Sequence, residues 1–206
     1  TGAVNAGDGT DVLVVGATTH LDTTAEGRVY TNFETVRSAD SVNLALLSGI
    51  TALQITGGTS ETYSGVTDTI ASNITFSGNN ATSTIFTGAN VTGSSDAITF
   101  NLASGTATTN VDVIGLSVIG YETVNLNATT GTNGTLSDFG FLANSADNVS
   151  AITITGSADV QLNQVANTFD TRAVAIDASG RDEPDLVNMR RASSTPARSS
   201  AETMRS

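Results

Sequence analysis

Short apolar runs, each closed by glycine or asparagine, recur every eight to twelve residues along most of this chain. Val12-Leu13-Val14-Val15 leads into Gly16, Ala52-Leu53-Gln54-Ile55 into Gly57-Gly58, Ile74-Thr75-Phe76 into Gly78, and Thr84-Ile85-Phe86 into Gly88. β-Branched and aromatic side chains suit a pleated, half-buried surface, and glycine ends a run because it accepts backbone angles that other residues avoid. Strands this short and this regularly punctuated predict an all-β protein. Two architectures follow, a parallel β-solenoid (a β-helix-like coil) and a β-sandwich. The solenoid is the first expectation, because Asn, Thr and Asp positions read as ladders stacked from coil to coil; the sandwich is the alternative.

Composition narrows the class. About one residue in six is Thr, which favours strand over helix, and Lys, Cys and Trp are absent. Without Cys there are no disulfides, so cohesion must come from the core, from backbone ladders or from bound ions. The formal net charge of −12 repels phosphate, which excludes nucleic acid as a partner and favours cations. No apolar run approaches the roughly 18 residues of a membrane span, so no membrane insertion is expected. The chain opens at Thr1 with no signal peptide, as an excised piece of something longer would.

The opening stretch Asn5–Val15 carries the clearest chemistry. Gly7, Asp8, Gly9 and Asp11 can fold carbonyl and carboxylate oxygens around a hard cation, after which the valine run leaves as a strand. Gly7, Gly9, Asp11 and Leu13 fall on the nonapeptide G-G-x-G-x-D-x-U-x, with Ala6 where its first glycine stands. The segment therefore resembles one copy of the RTX (repeats-in-toxin) calcium-binding β-roll. In that family a complete calcium site is shared between consecutive turns. Asp40 is the candidate for supplying the ligands that Asp8 and Asp11 lack.

Aspartates recur at 11, 40, 68 and 96. That spacing fits a coil whose corners fall in register, each offering a carboxylate; it also fits Asp simply favouring the turn before a strand. Three landmarks in the same order also read as an internal repeat. Asp11–Val15 corresponds to Asp96–Phe100, Asn32-Phe33-Glu34-Thr35-Val36 to Gly120-Tyr121-Glu122-Thr123-Val124, and Ile50–Gly57 to Val149–Gly156. Two repeats, about 11–95 and 96–180, are expected. Glu34 and Glu122 occupy equivalent places, either as calcium ligands beside Asp96 and the other aspartates or as outward-facing strand residues.

Val29–Val36 reads as one strand and Val42–Leu47 as another, while Leu136–Asn144, with Ser137 as its cap, is the one expected helix. At Gly180 the character changes. Residues 181–206 hold five of the eight arginines, both prolines and both methionines, and are expected to form an unstructured or non-native tail that contributes no strand.

No enzyme is expected. One histidine, His20, lies near Asp22, but no Gly-x-Ser-x-Gly elbow is present, and zinc needs more His or Cys than the chain holds. Residues 1–180 also resemble the Thr/Gly/Asn-rich body of bacterial surface-layer proteins and of large type I-secreted adhesins. The phrases that carry this are Gly7–Asp11, the paired Phe33-Glu34-Thr35-Val36 and Tyr121-Glu122-Thr123-Val124, and Ile154–Asp159 and Ala175–Gly180. The resemblance implies an extracellular, cell-surface structural protein that assembles with itself into a calcium-dependent lattice, with a surface polysaccharide as a second partner. A binding module for carbohydrate or ice, on a Thr-rich solenoid, is the alternative.

Overall fold

The computed structural model describes residues 2–17, 21–103, 111–129, 137–141, 148–164, 174–181 and 188–191. Two parallel sheets make up most of it. The first holds β2 (Val12–Val15), β4 (Thr35–Ser38), β6 (Ala52–Ile55), β8 (Ile74–Phe76), β10 (Ala97–Leu102), β12 (Thr123–Ala128), β14 (Ala151–Gly156) and β16 (Ala175–Arg181), in that spatial order. The second holds β5 (Val42–Asn43), β7 (Gly58–Val66), β9 (Asn80–Gly88), β11 (Val113–Ser117), β13 (Ser137–Phe141), β15 (Val160–Gln164) and β17 (Asn188–Arg191). A separate pair, β1 (Val4–Asn5) and β3 (Tyr30–Thr31), lies at the start.

From β4 onward the chain gives one strand to the first sheet and the next to the second, without exception. Every pairing is parallel, which no two-residue hairpin can connect. The molecule is a β-solenoid, and the antiparallel sandwich is excluded.

Alternation along each strand fills the space between the sheets. Register partners Val36, Leu53, Ile74, Phe100, Leu126 and Ile154 form one inward column, with Ile55, Phe76, Leu102 and Ala128 beside it. Phe86 of the second sheet crosses the gap to meet Phe76 and Phe100, at ring-centroid distances of 6.3 and 5.2 Å, and stacks on Tyr63 at 5.6 Å. Such ring pairs add about 0.5–1.5 kcal/mol each beyond the area they bury.

Strand length changes partway along. β2, β4 and β6 have four residues each, whereas β10, β12 and β14 have six. The short helix α2 (Asp68–Ala71), capped by the Thr67 hydroxyl and burying Ile70 and Ala71, leads into the three-residue β8. Only Phe100–Leu102 of β10 pair with β8, so the first three residues of β10 run past it.

Several expectations are corrected. The reading of Val29–Val36 as one strand fails at Asn32, whose φ of 59° breaks the run between β3 and β4. In Val42–Leu47 only two residues are strand, and Leu44–Leu46 turn into a 3-10 helix under the Asn43 side chain. Helix α1 (Thr24–Gly27), which no expectation covered, lies between β2 and β3, opened by a capping box between Thr23 and Glu26. The backbone N–H of Asp22, then the hydroxyl and N–H of Thr23, hold the Glu26 carboxyl below its usual range.

The helix expected over Leu136–Asn144 is strand β13 where it is described, because β11 and β15 flank it and take up its backbone hydrogen bonds. A helix that short has no comparable support. Beyond Gly180, Arg181 ends β16 and Asn188–Arg191 form β17 beside β15. A parallel ladder needs backbone rather than apolar side chains, so a polar sequence does not prevent it. No helix of the described residues is long and apolar enough to cross a membrane.

Candidate functional site

Four of the carboxylates singled out in the sequence, Asp11, Glu34, Asp96 and Glu122, lie in two pairs at the corner that leads into the first sheet. Asp11 precedes β2 and Glu34 precedes β4, its neighbour. The Glu34 and Thr35 N–H groups both donate to the Asp11 carbonyl, at 3.2 and 3.1 Å. In return the Asp11 N–H donates to Glu34 Oε2 at 2.8 Å. One coil further on, Thr51 and Ala52 donate to the Glu34 carbonyl, with the Thr51 hydroxyl adding a third bond.

The same set recurs in the second half. Glu122 and Thr123 donate to the Asp96 carbonyl, the Asp96 N–H donates to Glu122 Oε2 at 2.8 Å, and Ser150 and Ala151 donate to the Glu122 carbonyl. Even the hydroxyl contact returns, from Ser150. Each glutamate thus staples its own coil to the one before it. It does so from just after a left-handed residue and an aromatic, Asn32-Phe33 in one case and Gly120-Tyr121 in the other. The two segments share these inter-coil bonds, but the stapling role was not legible in the sequence; the only signal was the repeated Phe/Tyr-Glu-Thr-Val phrase.

Two positions separate the corners. In the second, the Gly93 N–H donates to Asp96 Oδ2 at 2.9 Å and the Asn148 amide approaches Glu122 Oε1 at 3.4 Å. By chain position the first corner has Asp8 in place of Gly93 and Gly49 in place of Asn148. It therefore lacks the Asn148 amide and gains a carboxylate, and the Asp8 N–H, unlike that of Gly93, does not reach the Asp11 Oδ2. Asp11 Oδ2 is buried there without a hydrogen-bond partner among the described residues. Asp8 itself is exposed in the turn between Gly7 (φ 98°) and Gly9 (φ 133°), the left-handed glycines that the sequence called for.

Asp40 does not join this corner. β4 separates them, with Glu34 before its start and Asp40 beyond its far end, where the Ser38 hydroxyl bonds the Asp40 backbone. Nor does Asp68, which opens α2. The partners of Glu34 and Glu122 on neighbouring coils, Asp11, Thr51, Asp96 and Ser150, are 23, 17, 26 and 28 residues away, so no constant period brings the four aspartates into register. Among the described residues no three His, Cys, Asp or Glu side chains are gathered as a metal-ligand set.

The outer face of the first sheet is the other distinctive surface. Thr75, then Thr99 and Asn101, then Thr123, Asn125 and Asn127, then Thr153 and Thr155 face outward on β8 to β14. None of these is charged, on a chain of net charge −12. Rungs link them, Asn125 to Thr99 at 3.3 Å and Asn127 to Asn101 at 3.1 Å, each amide donating to the preceding coil. On earlier coils Arg37 donates to Gln54 at 2.7 Å, and Gln54 to Ser77 at 3.2 Å.

His20, the one imidazole, lies outside the described residues. Compared with family models, with curated proteins and with solved structures, the chain finds no match.

Proposed function

We propose that this chain is a non-catalytic structural module of an extracellular cell surface, which assembles with further copies of itself through calcium. The observation that supports this reading is the unpartnered, buried Asp11 Oδ2, at a corner that carries Asp8 and Glu34 as well. An orphaned carboxylate oxygen is costly unless a cation or a donor reaches it. Calcium takes six to eight oxygens, more than Asp8, Asp11 and the remaining Glu34 oxygen provide. Asp8, Asp11 and Glu34 are not gathered as a ligand set among the described residues, so an ion there needs Asp8 to turn inward and water and oxygens of a second copy to complete the shell. Bridging of that kind also offsets the mutual repulsion of copies at −12.

Light scattering during a calcium titration tests the proposal. Scattering should rise with calcium, reverse with chelator, and rise less with magnesium, which gives up water reluctantly. A monodisperse monomer at saturating calcium contradicts it. A second reading, a binding module, draws on the uncharged Thr/Asn face of β8 to β14, which offers paired donors and acceptors to a neutral partner such as a surface polysaccharide or ice. Under that reading the protein stays monomeric in calcium.

A further inference from the structure

A cleft of about 270 Å³ opens at the edge of the second sheet, where β5 is the terminal strand. Its floor is the outward face of β5 and β7. Val42 and Tyr63 point into the core, so their neighbours Asn43, Thr62 and Ser64 face the cleft. Leu21 and Leu46 form an apolar wall, and Asp22 stands at the rim.

The chemistry of the lining is specific. Asn43 Oδ1 already accepts the Ala45 N–H at 3.2 Å, which leaves its amide hydrogens to donate. The hydroxyls of Thr62 and Ser64 and the carboxylate of Asp22 have no hydrogen-bond partner among the described residues. Two hydroxyls, one amide donor and one strong acceptor thus converge on a space with one apolar wall.

We infer that this cleft binds one ring of a neutral sugar. A hexose presents vicinal hydroxyls, which a carboxylate and an amide can hold together, and a C–H face that suits the leucines. Asp22 and the net charge of −12 disfavour an acidic sugar. Size decides between a ring and a longer chain. The cleft falls just below the roughly 300–1,000 Å³ of pockets that enclose drug-sized ligands, so one residue, free or terminal, is what it accommodates. No aromatic side chain lines it, so affinity is weak and set by hydrogen bonds. The inference does not rest on the calcium reading, because no residue of the Asp11 corner lines the cleft.

Amide NMR titration of the whole chain in chelator, with glucose, galactose and mannose in turn and glucuronate as the charged control, tests it. At least one hexose should give saturable shifts confined to Leu21–Asp22, Asn43 and Thr62–Ser64, with glucuronate weaker. Asp22→Ala and Asn43→Ala should each raise Kd roughly tenfold or more, the size of one lost charged or amide hydrogen bond. Both side chains sit on the surface, and amide spectra without sugar that are unchanged except next to the replaced residue (for Asn43→Ala, at the Ala45 N–H it caps) would establish that the variants fold. Absence of saturable shifts with all three hexoses, shifts located elsewhere, or an unchanged Kd in both variants overturns the assignment.

Discussion

The Asp11 N–H donates to Glu34 Oε2 at 2.8 Å across two neighbouring coils, and Asp96 and Glu122 repeat the bond at the same length. A solenoid has no hairpins to fix the register of one coil on the next. These carboxylates supply that constraint at one corner, from side chain to backbone, where the ladder of the sheet ends. They act as pins between coils before they act as anything else.

Removing the pin should therefore cost stability in a graded way. Glu122→Ala leaves the Asp96 N–H without its acceptor and should lose about 1–2 kcal/mol in urea unfolding, the lower part of the range for bonds to charged groups because the corner is partly solvated. Glu122→Gln keeps a carbonyl oxygen at the same reach and should lose clearly less. Equal losses for the two variants would show that charge, not the hydrogen bond, is what matters there.

Tyr63 offers the opposite expectation. Its ring is fully buried against Phe86, yet its hydroxyl has no partner among the described residues. Tyr63→Phe keeps the stack and removes an unsatisfied polar atom, so it should stabilise the protein by about 1 kcal/mol. The urea midpoint should rise with the slope unchanged. A destabilised variant would mean that the hydroxyl is satisfied in solution, by water reaching the core.

Alkaline pH should unfold the protein. Burial, then Asp68 and Asp96, push the Tyr121 hydroxyl from 10.0 up to about 12, and burial with Glu61 and Asp40 raises Tyr63 further. A folded pKa above the unfolded one means that the folded state holds its proton longer. The contribution is complete below pH 10 and is lost as pH rises towards 12 and beyond. Thermal midpoints between pH 9 and pH 12 should fall for the parent, and fall less for a Tyr63→Phe, Tyr121→Phe double variant. Parallel curves would assign the loss to other groups.

What could be read in advance follows from what is local. The strand Ala52–Ile55, the run Ile74–Phe76 and the left-handed Gly7 and Gly9 all depend on short-range pattern, and all were legible. The misreadings have tertiary causes. Ser137–Phe141 becomes a strand because β11 and β15 stand on either side, which no window of nine residues reveals. Asp40 has the right spacing from Asp11 and the wrong place, because coils of 17 to 28 residues carry it to the other end of β4. Thr67 capping α2 was overlooked because a four-residue helix leaves almost no periodic trace. The pairing of Glu34 with Glu122 was visible as a phrase, but its bond to the preceding coil exists only once the coils stack.

The most direct measurement compares the two corners in one experiment. Asp11→Asn and Asp96→Asn each remove a single charge and leave a hydrogen-bonding side chain, and thermal melts with and without calcium then report which corner an ion uses. If Asp8, Asp11 and Glu34 take calcium, the parent and Asp96→Asn should both gain the same rise in midpoint on calcium addition, because the Gly93 N–H already serves Asp96. Asp11→Asn should gain little or none. A calcium-dependent rise that survives Asp11→Asn undiminished, or no rise in the parent at all, would contradict the account.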